Sequence, residues 1–438
     1  MASESRALQT RHFLFLQGNS SRLFARLRHS LLERGAGVHR INFCCADHLF
    51  WGSLRHSSRY AGSLEDWPAW FARFIEARRF TDVLLFGDCR PYHRPAALLA
   101  RRAGLAVHVF EEGYLRPNWI TMERGGVNGF SPLPRDPRRY MAEAALGGEP
   151  EERPAAQSFA ERVALDLAFH VANAPTRLFY PRFTRHRPAS PLAEARGWAG
   201  RLARGRRERR ATVAALDALR GAGSPYFLFP LQLDADSQIR SHSPFASMWE
   251  ACALTLRSFA DHAPADAALV VKLHPLDNGL SDYRRLLRAL ARERGVEARV
   301  VFVDGGDLAA LIEGSRGVVT VNSTVGLMAL RQGRAVKCLG SAIYDLPGLA
   351  HQGGLDGFWT APATPDARLA AAFSRIVKRR AQINGGYFGA RALDLAVEGV
   401  LGRLLGAAPE RALLGAAPER APQRVEREEA ELAGAAAQ

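Results

Sequence analysis

The stretch ALVVKLHPLDNGLSDYRRLLRALARERGVEARVVFVD (268–304) decides the fold. An apolar run ends at His274-Pro275, helical spacing follows over 282–293, and a second apolar run ends at Asp304, so the segment reads strand, helix, strand. The same rhythm continues on both sides of it. Upstream stand the strand YFLFPLQ (226–232) and a helix near 246–261; downstream come a helix over 307–314, the strand GVVTVNS (317–323), a helix over 324–332 and the strand AVKCLG (335–340).

An earlier series runs from HFLFLQG (12–18) through a helix over 21–35, VHRINF (38–43), DVLLFGD (82–88), a helix over 95–104 and AVHVFEEG (106–113). Two such halves predict an α/β chain with a GT-B-like architecture, two Rossmann-like doubly wound domains facing a central cleft. DLAVEGVLGRLLG (394–406) is placed as the helix that crosses back to the first domain. The expected division is a first, acceptor-side domain over 1–175, a basic linker or helical region over 176–222, a second, donor-binding domain over 223–405, and a disordered tail over 406–438. That tail carries the short duplication GAAPERALL (406–414), GAAPERAP (415–422).

With 438 residues, 47% hydrophobic and 24% charged, the chain is globular and large enough for two cores, which excludes disorder as its main state. Five cysteines, two adjacent at Cys44-Cys45, form neither a disulfide framework nor a zinc spacing, and a reducing cytoplasm is expected. No stretch approaches the roughly 20 apolar residues that span a bilayer, and the start offers no signal-peptide core. The net charge of +15 rests almost wholly on arginine, Lys272, Lys337 and Lys378 being the only lysines. Such a charge calls for an anionic partner. Nucleic acid is not expected, because no recognition motif accompanies the charge. Eleven arginines against Glu194 and Glu208 within 176–210, interleaved with Leu178, Phe179, Tyr180, Phe183 and Trp198, would suit an anionic bilayer, each arginine there being worth about 1 kcal/mol. A solvated arginine-rich linker reads equally well.

Parallel sheets bind ligands at the carboxyl ends of their strands. There the sequence places Glu111-Glu112-Gly113, a carboxylate pair suited to acid–base work beside a glycine that lets a substrate approach. His274, preceded by Lys272, can bind a phosphate and protonate a leaving group. Asn322, Ser323 and Thr324 open a helix, where unpaired N–H groups favour an anion. Taken singly, a surface turn, a capping histidine and an ordinary N-cap explain these motifs as well. Together and in this order they resemble the signature of bacterial CMP-sugar transferases.

The resemblance tightens over longer strings. LLFGDCRPYHRPA (84–96), VFEEGYLRPNWITMERGGVNGFS (109–131), FPLQLDADSQIRSHSPF (229–245), KLHPLD (272–277) and LGSAIYDLPGL (339–349) are similar to the capsular polysaccharide biosynthesis proteins of the KpsS/LipB type, over roughly 12–350. That resemblance implies a metal-independent, retaining β-Kdo glycosyltransferase. It would take CMP-β-Kdo as donor, need no cofactor, and move Kdo to a phosphatidylglycerol-type lipid to start the poly-Kdo linker of a capsule. The enzyme would sit peripherally on the cytoplasmic face of the inner membrane, where other capsule biosynthesis or export proteins are possible partners.

The resemblance also implies roles. Gln232, Asp236 and Ser237 match a Gln-x-x-x-Asp-Ser motif whose aspartate is the nucleophile, with Asp234 the rival; Glu111 or Glu112 is the acid–base residue, converging with Asp236 from the opposite lobe. His274 and Lys272 fall to the CMP phosphate, and Asn322, Ser323 and Thr324 to the phosphate or the Kdo carboxylate. Asp88, Arg90, Tyr92 and His93 line an acceptor or Kdo-carboxylate wall, and Arg90 or Arg116 clamps a carboxylate. Alternatively, Asp88 pairs with Arg90 to hold a loop. Glu123 and Asn128 hold the loop after the EEG, Asp345 is a nucleotide contact or a turn former, and Cys44-Cys45 are buried and inert. The Gly18-Asn19-Ser20-Ser21 turn departs from the family's usual run. A non-catalytic glycan-binding export factor and a transferase for another CMP-linked nonulosonate are the alternatives.

Overall fold

A computed structural model describes residues 8–185, 191–234 and 236–406. The duplicated tail expected to be disordered lies outside the described residues from 407 onward. Twelve strands occur among the described residues: β1 (His12–Phe15), β2 (Gly37–Asn42), β3 (Ser57–Arg59), β4 (Asp82–Phe86), β5 (Ala106–Glu112), β6 (Trp119–Arg124), β7 (Tyr226–Pro230), β8 (Ala268–Lys272), β9 (Val300–Val303), β10 (Gly317–Thr320), β11 (Ala335–Cys338) and β12 (Gln382–Asn384). The chain divides into two compact units. The first holds residues 1–133, 149–186 and 377–438, and the second holds 134–148 and 187–376.

In the first unit a seven-stranded sheet runs in the order β12-β6-β5-β4-β1-β2-β3. Strands β1 to β5 pair in parallel. The order 3-2-1-4-5 is that of a doubly wound Rossmann-like sheet, whose topological switch lies between β1 and β4. The continuous apolar runs follow from burial on both faces, since alternate side chains point to opposite sides of a strand. Phe13 and Phe15 pack with Leu84 and Phe86 under helix α1 (Leu23–Glu33). Leu14 and Leu16 pack with Val83 and Leu85 on the other face, against Trp67, Phe71 and Ala96. Helices α2 (Cys45–Trp51), α3 (Phe159–Ala172) and α4 (Thr176–Phe179) also belong to this unit.

Three strands, β3, β6 and β12, are not announced by the apolar runs of the sequence. β6 and β12 extend the sheet antiparallel beyond β5, and β6 is joined to it by a short connection with no helix, so no helical pattern announces it.

The second unit is a five-stranded sheet in the order β11-β10-β7-β8-β9, parallel throughout. Its switch lies between β7 and β10. Phe227, Phe229, Leu269 and Val271 fill one core with Leu256, Phe259, Trp359 and Leu287. Helix α5 (Pro191–Ala222) packs along β9, with Leu216 and Leu219 buried and Thr212 Oγ1 accepting the Asp304 amide at 2.9 Å. The basic stretch 176–210 is therefore not one linker: its first part belongs to the first unit, and from 191 onward it is a helix of the second. Short α6 (Ser237–His242) and α7 (Val325–Arg331) follow β7 and β10.

Helix α8 (Ala390–Leu405) packs in the first unit's core through Leu393, Ala396, Val400 and Leu404, the return expected from sequence. The units divide the chain elsewhere than at the expected boundaries. Residues 134–148 leave the first stretch because Tyr140 packs on Phe373 at 5.0 Å and Arg375 caps the Ala144 carbonyl at 2.9 Å.

At Gly113 the structure corrects the role expected from sequence. A Cβ there would lie 1.9 Å from the Trp119 carbonyl oxygen, so the close approach that demands glycine is that of β6, not of a substrate. Gly113→Ala should destabilise the fold by at least about 2 kcal/mol, because rigid backbone must move to admit the methyl group. An unchanged urea midpoint would refute this packing.

Candidate functional site

The switch point of the second unit is bridged by two amides. Gln232, buried after β7, donates from Nε2 to Asn322 Oδ1 at 2.9 Å, and its Oε1 accepts the Asn322 backbone N–H at 3.2 Å. Asn322 Nδ2 then donates to the carbonyls of Gln238 and His242 at 3.0 and 3.3 Å. Both residues were expected at the donor; their amides instead tie β7, β10 and α6 together. They position the loops that could hold a ligand.

Asp236 is the N-cap of α6, its Oδ1 accepting the Gln238 amide at 2.9 Å. The side chain of Ser237 lies outside the described residues. The rival, Asp234, is differently engaged: it accepts from Ser281 Oγ at 2.7 Å and from the Tyr283 hydroxyl, which braces the loop after β7 against the start of the helix Tyr283–Glu293 that follows β8. Asp234 is thus held by two hydroxyls of the fold, whereas Asp236 caps a helix.

His274 lies in the turn after β8, and its Nδ1 accepts the Leu276 amide at 3.0 Å. Acceptance there places the proton of the neutral ring on Nε2, the donor tautomer a phosphate oxygen requires. Lys272, the last residue of β8, is buried, and burial pulls its pKa down, partly opposed by Asp304. Arg201 of α5 was not singled out from the sequence. It donates to the carbonyls of His274, at 3.3 Å, and Asp277, and pairs with Asp304 at 2.7 Å, holding the His-Pro turn from behind. One arginine among eleven in its stretch gives no sequence signal for that role.

Ser323 accepts the Val325 amide at 3.3 Å, while Thr324, at the N-cap position of α7, makes no capping bond. Helix α7 has only seven residues, so the expected dipole effect is small. Tyr344 donates to the Ser323 carbonyl, and the neighbouring Asp345 accepts from Gln352 at 3.2 Å within its own turn.

In the first unit, Arg90 spans the switch point. It donates to Gln17 Oε1 at 3.3 Å and to the Gly18 carbonyl at 2.9 Å. Gly87 takes φ +69°, a left-handed backbone that favours glycine, and Glu111 Oε2 and Arg90 Nε lie beside it, 3.4 and 3.7 Å from where a Cβ would sit. Glu111 and Glu112 are successive residues of β5, so they point to opposite faces. The expected close carboxylate pair is therefore absent. Glu112 pairs with Arg162 at 3.4 Å, whereas Glu111 faces the end of β4. That geometry distinguishes two residues the sequence left equivalent.

Asp88 is corrected from wall to frame. It is buried, accepts the Val127 amide at 3.0 Å and the Cys89 thiol, and burial raises its pKa. Arg90 turns to Gln17 and Gly18, so the loop is held by the Asp88–Val127 bond. His93 is likewise buried, its Nδ1 donating towards the Phe86 and Gly87 carbonyls, and Tyr92 lies in the core. Arg116 is exposed and donates from Nε to the Gly113 carbonyl at 3.2 Å. Cys44 is buried, with its thiol pKa pushed up by burial, and all five cysteines are free.

Glu123 and Asn128 hold the loop after the EEG, as expected: Glu123 accepts from Ser131 Oγ, and the Asn128 amide donates to Tyr114 Oη at 2.6 Å. Burial pushes Glu123 up to about 7 from 4.5. Between those two pH values the folded chain retains a proton that the unfolded chain releases, so stability falls as pH rises through the window and levels off above it. Glu123→Gln should cancel this fall, gaining about 3 kcal/mol relative to the parent from the acid to the neutral side. Urea midpoints across pH measure it, and parallel curves for the two proteins would disprove the assignment.

The family model for capsule polysaccharide biosynthesis protein matches residues 81–388. The Capsule polysaccharide export protein KpsS of Escherichia coli is 33% identical over 382 residues, covering 87% of this chain and 98% of its own. The Capsule polysaccharide modification protein LipB of Neisseria meningitidis serogroup A is 31% identical over 383 residues, covering 86% and 91%. Among solved structures, Thermosulfurimonas dismutans KpsC, beta Kdo 2,7 transferase, is 15% identical at a TM-score of 0.38, covering 83% of this chain and 89% of that one, a likeness too distant to bear on chemistry. The matches to the family model and to KpsS and LipB span the strand ends where Arg90, Glu111, Asp236, His274 and Ser323 stand, and the chain belongs to the capsule polysaccharide biosynthesis protein family.

Proposed function

We propose that this chain is a retaining β-Kdo glycosyltransferase that moves Kdo from CMP-β-Kdo to a phosphatidylglycerol-type lipid, initiating the poly-Kdo linker of a capsule at the cytoplasmic face of the inner membrane. The observation that carries the reading is the set of loops after β7, β8 and β10. On them Asp236, His274 and Ser323 follow strands of one parallel sheet, framed by the Gln232–Asn322 bridge and by Arg201.

In the proposed first step an Asp236 carboxylate oxygen bonds to the anomeric carbon of Kdo. The bond from that carbon to the CMP phosphate oxygen breaks, and its electron pair leaves with CMP. Lys272 and His274 bind the phosphate, and His274 Nε2–H offsets the charge that develops on it. Ser323 and Thr324 hold the phosphate or the Kdo carboxylate, to which Arg90 or Arg116 is also assigned. In the second step the lipid hydroxyl gives its proton to Glu111 and bonds to the same carbon, and the electron pair of the ester bond returns to Asp236. Two inversions give net retention. Neither step requires a metal.

Asp236→Ala should lower Kdo transfer about 1000-fold, as loss of a nucleophile does, with the CMP-Kdo-protected thermal shift retained. Asp234→Asn should cost stability and keep transfer within about tenfold. Glu111→Gln should abolish transfer and accumulate a protein–Kdo mass increment, whereas Glu112→Gln should not. The assay is release of CMP dependent on a phosphatidylglycerol acceptor. Transfer by Asp236→Ala at the parent rate would sink the mechanism, and acceptor binding with no CMP release from any CMP-linked nonulosonate would favour an export factor.

A further inference from the structure

Helix α3 carries two apolar faces. Leu165, Phe169 and Ala172 pack inward on Ala46 and Phe50 of α2, Phe169 lying 6.0 Å from the Phe50 ring. Phe159, Val163, Leu167 and Val171 recur at intervals of four, so they share the opposite side of the helix. All four are more than half exposed, from 51% at Val163 to 72% at Phe159. The stripe continues into α4, where Leu178 and Phe179 are exposed while Thr176 and Tyr180 are buried. Leu49 and Leu54, on and just after α2, are exposed as well. A helix apolar on both sides is ordinarily covered on both.

The charges around the stripe indicate what covers it. Arg55, Arg59, Arg177, Arg182 and Arg185 are exposed, and none has an acidic partner among the described residues. Arg59 lies over the Tyr180 ring at 4.9 Å, next to the exposed turn of α4. The acidic groups of α3 are engaged instead: Glu161 accepts the Gly389 amide at 2.7 Å, and Asp166 accepts from Ser20 Oγ at 3.3 Å. Exposed apolar side chains bordered by unpaired arginines match the boundary of a bilayer carrying anionic headgroups. The first turn of α3 also contacts the strand end that bears the EEG, since Arg162 pairs with Glu112 on the face opposite Glu111.

We infer that the outer face of α3, continued by α4 and the end of α2, docks on an anionic bilayer surface. This shifts the membrane contact from the whole basic stretch 176–210 to a surface of the first unit. It deepens the lipid-acceptor reading above, because the docked helix is tied directly to the strand end bearing the EEG.

The test is sedimentation of the full chain with vesicles of phosphatidylcholine alone or of phosphatidylcholine with phosphatidylglycerol. The parent should bind the anionic vesicles and release as salt rises. Val163→Asp/Leu167→Asp should lower the bound fraction at least about tenfold, since two exposed apolar groups become charges, with circular dichroism unchanged. Arg177→Ala/Arg182→Ala should weaken binding to anionic vesicles and flatten its salt dependence. Equal vesicle binding by parent and both variants would overturn the inference. So would a parent dimer in analytical ultracentrifugation that the Val163/Leu167 variant dissociates, or parent binding that appears only after removal of residues 407–438, because a second copy or the chain's own tail would then cover the face. Kdo transfer to acceptor in detergent micelles separates the two readings: loss of vesicle binding with micellar transfer intact supports the docking surface, and vesicle binding without any transfer leaves the surface standing while the enzyme reading fails.

Discussion

The reciprocal amide bridge between Gln232 and Asn322 is the constraint on which the second unit's strand ends depend. At a topological switch the crossover helices of adjacent strands leave in opposite directions, opening a crevice between the two strand ends. Side-chain amides fill it with donors and acceptors in matched positions, so the loops after β7 and β10 move together. Asn322 extends the tie to α6 through two more carbonyls, which fixes the helix that Asp236 caps. Removing either amide would leave a buried polar partner unsatisfied.

The first unit solves the same problem with charge. Arg90 crosses from the end of β4 to Gln17 and Gly18 at the end of β1, and the left-handed turn at Gly87 lies beside it and Glu111. Around this crossing, Asp88 and Glu123 are framing acids, held in burial by an amide, a thiol and a hydroxyl. The unit thus presents Glu111 on a rigid strand end, with its neighbour Glu112 directed to the other side and paired with α3.

Much of the fold is legible in the sequence. The apolar runs of β1, β4, β5, β7, β8 and β10 declared buried parallel strands, and their ends pointed to Glu111, His274 and Ser323. The roles of their neighbours were not legible. Gln232, Asn322 and Asp88 look like ligand contacts when only their types and positions are known, and their actual bonds join residues up to 90 positions apart. Gly113 reads as an opening for substrate until β6, which has no helical partner to announce it, is seen pressing on it. Arg201 and the outward stripe of α3 depend on which face of a helix is already covered.

The order of apolar residues encodes the two doubly wound units and the strand ends on which the candidate site residues stand, because period and burial are written locally. Tertiary structure alone decided which polar side chains are spent on the frame and which carboxylate of Glu111 and Glu112 faces the switch point. It also decided which helix face stays uncovered. Those outcomes turn on hydrogen-bond partners and packing contacts that come from distant parts of the chain, and no local pattern encodes them.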